Sequence, residues 1–189
     1  NTFHVIPNLA FEGTSLGDLE TFYRNGQEKI SMRRRLGLCI DAAAGVEALH
    51  LAGIIHGDIK PQNILVFQDR QRHLVAKIAD FGSSISVHLT EFPRKALDGT
   101  LTFAAPEIQQ TTGGITETAD FSKEGLTRTD MFSLGITLWF LVRGPCVLEK
   151  LSSTNLEKLR ELKYEEKLID WIDRDDHLPR FSEMPRKTF

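Results

Sequence analysis

Asp58, Lys60 and Asn63 share one short stretch, His56-Gly57-Asp58-Ile59-Lys60-Pro61-Gln62-Asn63, and a further carboxylate follows in Asp80-Phe81-Gly82. Phosphoryl transfer needs a group that accepts the hydroxyl proton, oxygen ligands for magnesium, and a positive charge near the phosphates. Asp58 can take the first role, Asn63 and Asp80 the second, and Lys60 the third. Each residue taken singly has a plainer reading. Gly-Asp is common in turns, Asn is a frequent cap or turn residue, and a loop lysine usually faces water. The joint spacing is what points to chemistry.

These residues need elements to hold them. Leu36, Ile40, Ala43, Val46 and Leu49 recur at helical spacing, with Ser31 as the opening cap and Gly53 as the stop. That helix delivers the chain to His56. Ile64-Leu65-Val66-Phe67 and Leu74 to Ile78 read as strands joined by the charged turn Gln68 to Arg72, so a small hairpin connects Asn63 to Asp80. Upstream, Phe3 to Ile6 and Leu9 to Phe11 read as short strands broken at Pro7-Asn8. Gly13 to Gly17 reads as a turn, and Ser15 or Asp18 caps a short helix through Tyr23. Downstream, Ser83 to Thr102 and Gln109 to Arg128 read as long loops. Met131 to Val142 is apolar on nearly every face, which predicts a buried helix. Leu156 to Ile172 reads as one amphipathic surface helix, and Asp173 to Phe189 as an irregular tail.

A third motif, Ala105-Pro106-Glu107, follows Asp80-Phe81-Gly82, with Gly99-Thr100 and Phe103 just before it. Three motifs in this order and at these separations are hard to produce by chance. From about Phe11 to about Gly144 the chain resembles the large lobe of a eukaryotic-type protein kinase. The resemblance implies a mainly α (α+β) fold with a small β hairpin by the catalytic loop. It divides the chain into residues 1–145, a partial kinase domain running from the hinge region to the central buried helix, and residues 146–189, a surface helix and tail at the end of the same domain. It implies Asp58, Lys60 and Thr100 as catalytic residues, with Thr100 placing a serine or threonine substrate. Asn63, Asp80 and Leu65 would contact the cofactor, Mg2+-ATP, and the metal would sit on Asn63 and Asp80. His56 and Phe81 would pack together beneath the site. Asp130, ahead of Ser133-Leu134-Gly135, would bond the catalytic-loop backbone; its plainer reading is an acid at a helix N-terminus. Lys-Pro-x-Asn at Lys60 to Asn63 resembles serine/threonine kinases more than tyrosine kinases.

Some similar-looking features are decoys. Val75-Ala76-Lys77-Ile78 belongs to the strand feeding Asp80, Arg33-Arg34-Arg35 reads as a solvated helix face, and Gly13 to Gly17 lacks the spacing of a phosphate cradle. The chain also departs from the family. Gly57 stands where many kinases carry an arginine that reads a phosphate on the activation loop. No glycine-rich loop or small lobe is evident, and Arg160, Arg174, Arg180 and Arg186 are candidates, without a recognisable context, to pair with Glu107. Two expectations compete: an excerpt of a complete kinase, or a short protein that binds nucleotide poorly. The joint presence of Asp58, Lys60, Asn63 and Asp80 favours the first.

Composition is that of an ordinary globular chain: 41% of residues are hydrophobic and 26% charged over 189 residues. A net charge of −3 gives no general attraction for nucleic acid. Cys39 and Cys146 are too few for a disulfide framework, and Leu134 to Val142 is too short to span a bilayer. With no signal-peptide pattern at Asn1 to Phe11, the expectation is a cytoplasmic protein. The leading function is a serine/threonine protein kinase acting on a protein hydroxyl, weak or inactive if the domain is incomplete. A non-catalytic kinase-like scaffold and a small-molecule phosphotransferase remain as alternatives. Lys60 and Ala105-Pro106-Glu107 argue against the last.

Overall fold

The computed structural model describes residues 14–25, 30–88, 100–108, 122–144, 150–151 and 154–173. The strands expected before Phe11, residues 89–99 and 109–121 of the two long loops, Cys146 and the tail beyond Asp173 lie outside these residues.

The first described element corrects the sequence reading. Thr14–Asp18 is a strand, β1, rather than a turn. Its residues are poor strand formers by themselves, and what makes them a strand is a partner. Thr14 pairs with Gln68 and Ser15 with Phe67; the register then slips so that Asp18 faces Leu65. The slip falls between Ser15 and Asp18, a stretch that includes Gly17, whose φ of +91° suits glycine. Asp18 then caps helix α1, Leu19–Arg24, accepting the Thr21 N–H at 2.9 Å. The α1 helix buries Leu19, Phe22 and Tyr23. Tyr23 packs on Phe140 and donates its hydroxyl to the Leu141 carbonyl at 2.8 Å, and burial pushes its ionisation up to about 12.

Ser31 caps helix α2, Met32–Leu51, as expected. The buried face is shifted from the expected stripe: Val46 is shared, but Leu36 and Ile40 give way to Leu38 and Ala42. Leu38, Ala42 and Val46 are buried, whereas Ile40 is 68% exposed and Leu36 40% exposed. Both stripes fit a helical period. The small-residue one wins because it lets the sheet approach: a Cβ at Gly45 would stand 2.8 Å from Ile78 Cγ1. On the same side, Asp41 Oδ2 accepts the Ala76 N–H at 3.0 Å. Arg35 is also not merely solvated, since it bonds the Ile30 and Val142 carbonyls and lies over the Tyr23 ring.

The expected hairpin is present as β3, Ile64–Gln68, and β4, Leu74–Ile78, with β1 added to form a three-stranded antiparallel sheet. Ile64, Val66 and Ala76 face the core. A second, two-residue pairing joins β2, Ile54–Ile55, to β5, Ile85–Ser86, inside what read as unbroken loop.

Helix α3, Lys123–Arg143, starts at a Ser122 cap. It is longer than the apolar run, so residues 123–128, expected as loop, are helical. Met131 is 51% exposed, so the helix is not covered on every face. The expected Leu156 to Ile172 helix is two: α4, Leu156–Tyr164, and α5, Leu168–Asp173. Glu166 breaks it at φ +56°, and the Lys167 N–H closes the end on the Leu162 carbonyl. No described helix is long and apolar enough to cross a membrane.

Candidate active site

The stretch from His56 to Asn63 is held from below by α3. Asp130, the eighth residue of that helix, is buried, and its carboxylate accepts the His56 N–H at 2.8 Å, the Gly57 N–H at 2.9 Å and a bond with His50 Nε2 at 2.9 Å. A buried carboxylate needs such partners. Its place inside the helix excludes the plainer reading of an N-terminal helix acid. Nothing in the sequence singled out His50, the penultimate residue of α2, which reaches the same carboxylate.

His56 is fully buried. Its Nδ1 accepts the Asp58 N–H at 3.3 Å and its Nε2 donates to the Ala79 carbonyl at 2.9 Å, which places the ring proton on Nε2. Phe81 packs on the same ring with centroids 5.4 Å apart. His56 is therefore a packed strut, as its context suggested, and it ties the catalytic stretch to the segment entering Asp80.

Asp58, Lys60, Asn63 and Thr100 converge. Asp58 Oδ1 accepts the Thr100 N–H at 2.8 Å. Its Oδ2 accepts from Lys60 Nζ at 2.5 Å and from Asn63 Nδ2 at 3.0 Å. Lys60 Nζ also reaches Thr100 Oγ1 at 2.7 Å. Burial alone would raise the Asp58 ionisation, but the bonds from Lys60 and Thr100 outweigh it and hold the group below its ordinary value. Asp58 is thus held as a carboxylate.

Pro61–Asn63 forms a 3-10 turn, with proline at its first position. Asn63 donates from Nδ2 to the Asp58 backbone carbonyl at 2.8 Å as well as to its side chain, which turns Oδ1 away from Asp58. The Asn63 carbonyl accepts the Ala79 N–H at 2.9 Å, so the residue is laced to the one preceding Asp80. Asp80 itself adopts φ +60°, a conformation Asp tolerates better than most, and its side chain is exposed, with Oδ1 accepting the Gly82 N–H at 3.2 Å. The unusual backbone falls at Asp80, and Gly82 has no positive φ. Leu65 is half-buried on β3, on the sheet face opposite Ile64 and Val66. Amide and carboxylate oxygens are the hard donors that magnesium takes, together with phosphate and water. The donor set of Asn63 and Asp80 fits that ion.

Against known sequences, the profile described as the protein kinase domain matches residues 4–188. The chain belongs to the protein kinase family. It is 33% identical over 139 residues to a probable serine/threonine-protein kinase, SIS8, of Arabidopsis thaliana. It is 36% identical over 118 residues to the calcium and calcium/calmodulin-dependent serine/threonine-protein kinase DMI-3 of Medicago truncatula, and 35% identical over 114 residues to the proto-oncogene serine/threonine-protein kinase mos of Sus scrofa. These matches cover 71%, 62% and 59% of this chain but only 12%, 20% and 28% of the relatives' own lengths. The mixed helix and strand architecture agrees with a kinase-like fold.

The sequence reading missed two polar contacts of this kinase domain. Gln62 donates to Glu20 on α1, which also takes the Arg24 side chain at 2.7 Å. Lys163 of α4 is buried and donates to the Leu101 and Ala104 carbonyls at 2.8 and 2.7 Å. Lys163 follows Leu159 and Leu162 on the apolar stripe of α4, a placement that could have marked it. The side chain of Glu107 and the residues Arg174, Arg180 and Arg186 lie outside the described residues; Arg160, on α4, lies within them.

Proposed function

We propose that this chain forms the catalytic core of a serine/threonine protein kinase that moves the γ-phosphate of ATP to a protein hydroxyl. The observation that carries this is the Lys60 ammonium standing between Asp58 and Thr100. Asp58 accepts or orients the substrate proton, Lys60 offsets charge on the transferred phosphate, and Thr100 places the acceptor hydroxyl. Asn63 and Asp80 would hold the magnesium of Mg2+-ATP, which would offset the charge of the phosphates. Leu65 offers an apolar surface to the nucleotide. Residues 1–145 contain these groups. Residues 146–189 complete the same domain, a reading supported by the Lys163 bonds to residues 101 and 104. Reliance on ATP fits a cytoplasmic setting.

The decisive measurement is magnesium-dependent transfer of labelled phosphate from ATP to serine, threonine and tyrosine peptides. It should be run for this chain, for a form extended upstream of Asn1, and for Asp58→Asn of each. Transfer to serine or threonine that Asp58→Asn abolishes is the expected result. An extended form as inert as its Asp58→Asn variant would leave the scaffold reading in place.

A further inference from the structure

We propose that Lys163 is a positioning residue: it latches the turn after Thr100 onto helix α4 and thereby sets where the acceptor hydroxyl sits. The inference rests on the kinase reading above and adds to it a residue outside the catalytic stretch.

The turn is short and closed. The Thr100 carbonyl accepts the Phe103 and Ala104 N–H groups at 2.8 and 3.0 Å. The remaining carbonyls need donors from elsewhere. Ser133 of α3 supplies one, its hydroxyl bonding the Phe103 carbonyl at 2.9 Å. Lys163 supplies two, at the Leu101 and Ala104 carbonyls, from a residue that is 4% exposed. The third side of its amine faces the Phe132 ring, 5.5 Å from the centroid. Lys163 therefore grips both ends of the turn, while Ser133 holds its middle.

Next to Leu101 stands Thr100, whose N–H bonds Asp58 and whose hydroxyl bonds Lys60. A displacement of the turn must move Thr100 relative to the Asp58 carboxylate. Catalytic geometry is sensitive to shifts of that kind. A lysine serving only to attach α4 would have no reason to place its two bonds on the carbonyls flanking this turn. Burial also costs the ammonium its hydration, which drives its ionisation down to about 7. That cost is consistent with a positional role.

Lys163→Met keeps length and apolar volume while removing the donors, and Lys163→Arg keeps donors. Backbone amide exchange should be followed at Thr100, Phe103 and Ala104, with α2 and α3 as internal references. In Lys163→Met, exchange at the three amides should rise about tenfold while the α2 and α3 amides hold their rates. The peptide KM should rise about tenfold with the ATP KM unchanged, and Lys163→Arg should recover part of both effects. Wild-type exchange rates at the three amides in Lys163→Met would overturn the latch. So would a uniform rise across α2 and α3, or equal changes in the ATP and peptide KM. The exchange arm needs no phosphotransfer, so it decides the latch even if the kinase reading fails in the transfer assay.

Discussion

Asp130 Oδ1 accepts the Gly57 N–H at 2.9 Å, although 73 residues separate the two in the chain. The same carboxylate takes the His56 N–H, so one buried side chain fixes two consecutive peptide groups ahead of Asp58. An amide at this position has one acceptor where the carboxylate has two, and alanine has none. Asp130→Asn should destabilise the fold by about 2 kcal/mol and Asp130→Ala by about 3 kcal/mol, because buried donors are left unpaired. Urea unfolding midpoints at constant slope measure both.

Asp58→Asn tests the proposed proton acceptor without emptying its space. The substituted amide can still accept from Thr100, but its NH2 group cannot accept from Lys60. The expected loss in kcat is about 10²- to 10⁴-fold with the fold retained. The pH dependence has a definite sign. The folded Asp58 ionises below its ordinary value of 3.8, so the folded state favours the carboxylate. The stability this contributes is present above 3.8 and is lost as pH falls through that value and below it. An acid unfolding curve for wild type against Asp58→Asn should therefore converge at low pH.

Lys163 gives the same sign in a higher pH window. Burial takes it from 10.5 to about 7, so between those values the unfolded chain holds the extra proton. Wild-type stability should rise by about 1 to 3 kcal/mol, relative to Lys163→Met, as pH climbs from 7 to about 10. Below 7 the difference should be flat. Thermal or urea unfolding at several pH values reads it directly.

Gly57 offers no guanidinium to a phosphate, and its backbone leaves no room for one. Its φ is +79°, and a Cβ there would stand 2.7 Å from the Ser83 carbonyl oxygen. Gly57→Arg should cost about 1 to 3 kcal/mol. Aspartate placed at Ser83, Ser84, Ser86, Thr90 or Thr102 should not raise transfer more than about threefold. Ser84→Asp should lower it, since the Ser84 hydroxyl bonds the His56 carbonyl at 3.2 Å. A large gain in rate at any of these positions would contradict this reading of Gly57.

Much of the scaffold was legible because its signals are local. The caps at Asp18 and Ser31 and the hairpin from Ile64 to Ile78 follow from side-chain chemistry and alternation over a few residues. The failures share a different cause. Thr14 to Asp18 became a strand only through pairing with Ile64 to Gln68. The choice between the Leu36–Ile40 and Leu38–Ala42 stripes depended on how closely β4 approaches. The break at Glu166 carries no glycine or proline to announce it. At the site, the spacing that singled out Asp58, Lys60, Asn63 and Thr100 is matched by direct bonds among them. His50 and Lys163 escaped because their partners are a distant carboxylate and two main-chain oxygens.

Gly45 reaches further than its size suggests. It touches none of the proposed site residues, yet it governs how closely Ile78 can settle against helix α2. Ile78 is two positions ahead of Asp80. One added methyl would press on Ile78 and strain the end of β4 just ahead of Asp80. The approach of β4 to Asp80 is thus gauged by a carbon atom that Gly45 does not have.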